Sequence, residues 1–138
     1  MVRLLALIAC LAFAAPAMAQ TSEANSPDGV ANAFFRDLQS GDTTKAYTSI
    51  FSPVVISKKQ ADVENLSAQT AAALKFYGKV LGWELAHETQ VSPSYVRRLY
   101  VVRTEVAPLF YRFDFYKPST KWTVVNVFFA DQYAKAAD

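Results

Sequence analysis

The chain has 138 residues, 52% of them hydrophobic and 14% aromatic, with a net charge of +2 at pH 7. So even a balance excludes the basic footprint of a nucleic-acid binder or of a protein held to anionic membranes. The single cysteine, Cys10, excludes a disulfide framework.

Met1-Val2-Arg3 precedes an apolar run from Leu4 to Ala15, and Ala17-Met18-Ala19 then offers a small-x-small site. That order describes a secretory signal peptide over 1–19, cut between Ala19 and Gln20. The run is too short to span a bilayer, which takes roughly 20 apolar residues, so no membrane anchor is expected after cleavage. Leu7-Ile8-Ala9-Cys10 also resembles a lipobox, but lipidation at Cys10 would leave a very short apolar core before the cut. The expected mature protein is periplasmic or secreted and holds no cysteine, so thiol nucleophiles and Cys-based metal sites are excluded.

Residues 20–26 read as a short polar tether, and 27–138 as a single domain. Ser26-Pro27-Asp28 supplies an N-cap, a proline at the first helical position and an acid in the first turn. Val30, Phe34 and Leu38 follow on one helical stripe, and Gly41 closes the helix. Asp42 caps a short second helix through Tyr47 and Ile50, which must end before Pro53. Ser57-Lys58-Lys59-Gln60 fits a capping box for a third, longest helix through Val63, Leu66, Thr70, Ala73 and Tyr77, stopped by Gly78.

Beyond Gly82 the period changes to two. Strands are predicted near 83–91, 94–105, 109–117 and 122–131, parted by Ser92-Pro93, Ala107-Pro108 and Pro118-Ser119. Short connections make the neighbours antiparallel. Helices first and strands second define an α+β class, three N-terminal helices on a four-stranded sheet.

Strand alternation assigns the faces, provided no bulge intervenes. Trp83, Leu85, His87 and Val91 share one side of the first strand; Arg98, Tyr100 and Val102 face the helices, as do Leu109, Tyr111, Phe113 and Phe115. Leu99, Val101, Phe110, Arg112 and Tyr116 fall on the outer face, joined by one of the adjacent Phe128 and Phe129. An apolar patch there marks a contact surface. A second copy of the chain is the expected cover, making a homodimer; the C-terminal tail or a nearby loop is the alternative.

Phe34-Phe35-Arg36-Asp37-Leu38-Gln39-Ser40-Gly41-Asp42 leading to Ala46-Tyr47, and the closing hairpin from Tyr111 to Tyr116 and Lys121 to Asn126, resemble the nuclear transport factor 2-like superfamily. The resemblance covers nearly all of the mature chain. It implies a cone-shaped roll in which a curled sheet wraps the long helix around a lumen. That superfamily holds isomerases, dehydratases, cyclases, assembly domains and exported proteins of unknown role, so the resemblance does not choose a function.

Three functions are carried forward. A non-catalytic module would bind a small, partly apolar ligand in the cone, lined by Tyr47, Tyr77, His87, Arg98, Tyr100 and Tyr111. An interaction domain would use the outer sheet face. A small isomerase or dehydratase would use His87, the only histidine, as its general acid or base. Each residue also has a plainer structural role: His87 a rim histidine, the tyrosines ordinary core, Arg98 the partner of an acid on a helix. Asp114 falls on the outer face beside Arg112, away from the place a catalytic carboxylate would take. No cofactor is expected and no metal-binding pattern is present.

Overall fold

The computed structural model describes residues 24–138; the expected signal peptide and its expected cut between Ala19 and Gln20 lie outside the described residues. Among the described residues, four helices precede the sheet from Pro27 on: α1 (Pro27–Gln39), α2 (Thr43–Ile50), α3 (Pro53–Lys58) and α4 (Gln60–Tyr77). The strands β1 (Val80–Ser92), β2 (Tyr95–Thr104), β3 (Leu109–Tyr116) and β4 (Thr123–Ala130) follow, and a short helix α5 (Tyr133–Ala137) ends the chain. None of the described helices is long and apolar enough to cross a membrane.

The helix starts have local causes. Ser26 Oγ accepts from Gly29 N at the head of α1, and Asp42 Oδ1 from Lys45 N at the head of α2. Ser52-Pro53 repeats the device of Ser26-Pro27: Ser52 Oγ accepts from Val55 N, and the proline opens α3. Pro53 therefore both ends one helix and starts another, a fourth helix where the sequence pattern predicts three. The expected capping box at Ser57 does not form, because Ser57 is already inside α3 and donates to Val54 O. Gly41 and Gly78 both adopt φ of 87°, the left-handed region that glycine enters freely. A side chain at Gly78 would also strike Glu105.

The sheet is a meander in the order β1-β2-β3-β4, antiparallel throughout. This corrects the expected cone. β1 and β4 are opposite, unpaired edges, and the sheet is neither closed nor strongly curled. Nor does the space between helices and sheet form a lumen lined by the expected tyrosines. Phe34, Phe35, Tyr47, Tyr111, Phe113 and Phe115 are fully buried there. The Phe34 ring meets those of Phe35, Tyr47, Tyr111 and Phe113 at centroid separations of 5.1 to 5.7 Å, all edge-on. Edge-to-face packing of this kind adds about 0.5–1.5 kcal/mol per pair beyond area burial.

Of the four register shifts in the sheet, two bear on the side chains singled out above. Between Leu85 and His87 an extra residue enters β1, so Leu85 still pairs with inward Tyr100 but His87 pairs with outward Leu99. The expected alignment of His87 with Trp83 and Leu85 is therefore wrong from this bulge onward. A second shift lies in β4 opposite Asp114 and Phe115. Phe129 pairs with Tyr111 and stacks on it inside the core, whereas Phe128 pairs with Arg112 on the outer face.

Candidate functional site

The residues expected to line a lumen do not converge. Tyr47 donates or accepts at 2.7 Å with Thr70 Oγ1 within the buried core. The Tyr111 hydroxyl is buried near Tyr47 and Thr70 without a well-formed hydrogen bond to a described residue, and burial pushes its pKa up to about 12 against the pull of those two neighbours. Tyr77, at the end of α4, instead reaches Asp131 Oδ2 at 2.9 Å and ties that helix to the exit of β4.

Arg98 does lie on the helix side, where it is held by two carboxylates. Its Nη1 donates to Asp28 Oδ1 at 2.5 Å and its Nε to Glu88 Oε2 at 2.6 Å. Glu88 reaches it because the β1 bulge turned that residue inward. Burial works against the guanidinium's charge, but the bonds it donates to Tyr100 and Asp28 outweigh it and hold Arg98 more firmly protonated than usual. Tyr100 beside it is pushed up by burial. This is a closed electrostatic cluster, with both carboxylates supplied by the protein.

The outer face is arranged differently. Asp114 is only 3% exposed. It accepts from Arg97 Nε at 2.8 Å and Nη2 at 3.3 Å, and from Asn126 Nδ2 at 3.3 Å. Burial would raise its pKa, but the bonds from Arg97 and Asn126 prevail and hold the carboxyl below its ordinary range. The partner is Arg97, its cross-strand neighbour in register, rather than Arg112. The even–odd pattern puts both Arg97 and Asp114 outside, so this pair is legible from the hairpin register alone.

Helix α5 packs on the same face. Ala136 is fully buried, its carbonyl accepts from Arg112 Nη1 at 3.2 Å, and the Tyr133 ring meets Phe110 edge-on at 5.7 Å. The C-terminal tail thus covers part of the patch for which a second copy was expected. Leu99 is buried, Val101, Phe110 and Arg112 are half-buried, and Tyr116 and Phe128 remain exposed. The Arg112 guanidinium lies over the Phe128 ring, 5.2 Å from its centroid.

Between α5 and β1 to β3 lies a hollow of about 330 Å³, lined by His87, Thr89, Val91, Arg97, Leu99, Arg112, Tyr133, Ala136 and Ala137. His87, Leu99 and Arg112, set apart by the sequence for different reasons, meet here. His87 lies 3.2 Å from Thr89 Oγ1, and no carboxylate or tyrosine among the described residues bonds to it. A base oriented for proton abstraction needs such a neighbour. A hollow of similar size between α2 and α4 is lined by Thr43, Thr44, Thr48, Ser67 and alanines, with Glu64 as the charged residue of its wall. No group of His, Cys, Asp and Glu side chains among the described residues could hold a metal ion.

No family model matches the chain, and no curated protein matches it. Among solved structures it is similar to a Campylobacter jejuni protein provisionally named an NTF2-like transpeptidase, with 23% identity and a TM-score of 0.58. That likeness covers 72% of this chain and 96% of the other. Identity so low speaks for architecture and not for activity. The chain therefore has the nuclear transport factor 2-like fold, in an open form whose hollow lies on the outer side of its sheet.

Proposed function

We propose that this chain is an exported, non-catalytic module that binds a small, partly apolar molecule in the hollow between α5 and the outer sheet face. One observation carries the reading. The centre of the helix side, where a lumen would lie, is filled with rings, whereas the outer side has a hollow of about 330 Å³ that joins apolar walls to two arginines. Pockets of this kind, apolar with a few placed polar groups, are where small ligands bind, from about 300 Å³ upward. His87, without an acid to orient it, serves as a polar wall of that site and not as its base.

The test is equilibrium binding of a neutral aromatic probe, 2-naphthamide, to the exported chain. Binding should be lost in Ala137→Trp, which fills the hollow, and kept in Thr44→Trp, which fills the space between α2 and α4. Loss in the second variant and not the first would contradict the proposal. Export itself is checked by mass spectrometry of the mature protein: an N-terminus at Gln20 supports it, and an intact Met1 or a lipidated Cys10 does not.

A second reading has its own support. Tyr116 and Phe128, 40% and 36% exposed, stay uncovered on the outer face beyond α5. Aromatic rings in such positions are frequent anchors between proteins, and a homodimer through them would leave the hollow open. A strictly monomeric sedimentation profile at high micromolar concentration would remove this reading.

A further inference from the structure

The charges around the hollow do not cancel, and the imbalance names the ligand. Arg97 is already paired: two of its N–H groups go to Asp114, whose carboxylate takes a third bond from Asn126. Arg112 is not. Its one hydrogen bond to a described residue runs from Nη1 to the neutral carbonyl of Ala136, and its buried Nε–H has no acceptor among the described residues. No carboxylate among the described residues pairs with it, Asp138 at the end of α5 included. Removing a guanidinium donor from water without an acceptor is costly. The contrast with Arg98 is direct, since there the protein supplies two carboxylates to one guanidinium.

We infer that the hollow binds a free amphipathic monocarboxylate, with Arg112 as its anchor and Val91, Leu99, Tyr133 and Ala137 around its apolar part. The inference rests on the hollow being the recognition site. One uncompensated cation asks for one negative charge. A dianionic phosphate would bring a second charge, and no second arginine or lysine of the wall is free to meet it, because Asp114 already cancels Arg97. A guanidinium fork also matches a planar carboxylate through paired N–H···O bonds, which a lysine cannot do. The apolar walls exclude a fully hydrated anion as the best ligand, and the volume of about 330 Å³ suits a compact ring or short chain.

The experiment compares 2-naphthoate with 2-naphthamide, which differ in charge but hardly in shape, by calorimetric titration of the exported chain near neutral pH. Wild type should bind the acid about tenfold more tightly than the amide, the usual scale for a charge-assisted bond. Arg112→Gln should abolish that preference, with an unchanged circular dichroism spectrum and unfolding midpoint showing that the variant is folded. Arg112→Lys should recover only part of it. Equal affinities in wild type, or a preference that survives Arg112→Gln, would overturn the monocarboxylate and leave the hollow as a site for neutral molecules. Failure of both probes to bind would overturn the hollow itself.

Discussion

The two sides of the sheet solve the same problem in opposite ways. Toward the helices, each strand contributes apolar side chains that interlock with Phe34, Phe35 and Tyr47, and the inward Arg98 is closed off by two carboxylates. Toward the outside, a five-residue helix lies on a mixed surface and leaves a hollow, while a guanidinium keeps donors without a carboxylate. The first side has the features of a scaffold. The second has the features of a place where something binds, because packing there is incomplete and charge is uncompensated.

That contrast can be broken at its strongest point first. Phe34→Ala should remove about 3–5 kcal/mol of stability, the usual range for a large ring lost from a packed core. Urea denaturation would measure it, and a loss under about 1 kcal/mol would mean that the helix side is not the tightly filled region described. Asp114→Asn should cost less, about 1–2 kcal/mol, since Arg97 is 37% exposed and can turn to water. Because the folded pKa of Asp114 is depressed, its contribution is fully present above the unfolded value near 4. It is lost as pH falls from there through the lower folded value. Wild type should therefore lose stability faster than Asp114→Asn as acid is added below about pH 4.

Within the core the two tyrosines separate cleanly. Tyr47→Phe should cost about 1 kcal/mol, because it deletes the bond with Thr70 and leaves that hydroxyl buried. Tyr111→Phe removes a hydroxyl that makes no well-formed bond to a described residue and should be neutral or slightly stabilising. Equal losses in thermal unfolding would show that the Tyr111 hydroxyl is satisfied after all. Smallest of all is His87→Ala, within about 0.5 kcal/mol, as befits an exposed side chain whose one bond to a described residue is to Thr89.

Much of the scaffold is legible in the amino-acid order alone, and the reasons are local. Ser26-Pro27, Asp42, Gly41 and Gly78 act through backbone chemistry within a turn of their own position, so their meaning survives without tertiary context. The alternation in β3 holds from Leu109 to Tyr116, since that central strand is buried and pinned on both sides. Whatever depends on a partner strand is harder to read. The extra residue in Leu85-Ala86-His87 carries no glycine to mark it, and His87, being amphipathic, fits either face. That one shift accounts for both the misplacement of His87 and the missed pairing of Glu88 with Arg98. Helix α5 does leave a signal, the Ala-Lys-Ala-Ala run after Tyr133, but five residues cannot form a helix without the sheet beneath them. The cone and its lumen are implied by resemblance alone, and here the open meander with its filled helix side departs from them.

The proposed ligand site is the outer hollow. Nuclear Overhauser contacts between the ring protons of 2-naphthoate and the methyl groups of the labelled chain report this directly. Contacts to Leu99, Val91, Ala136 and Ala137 are the predicted result. Contacts confined to Val102, Val124 or Val127, which face the helices, would place the ligand on the other side of the sheet and contradict it.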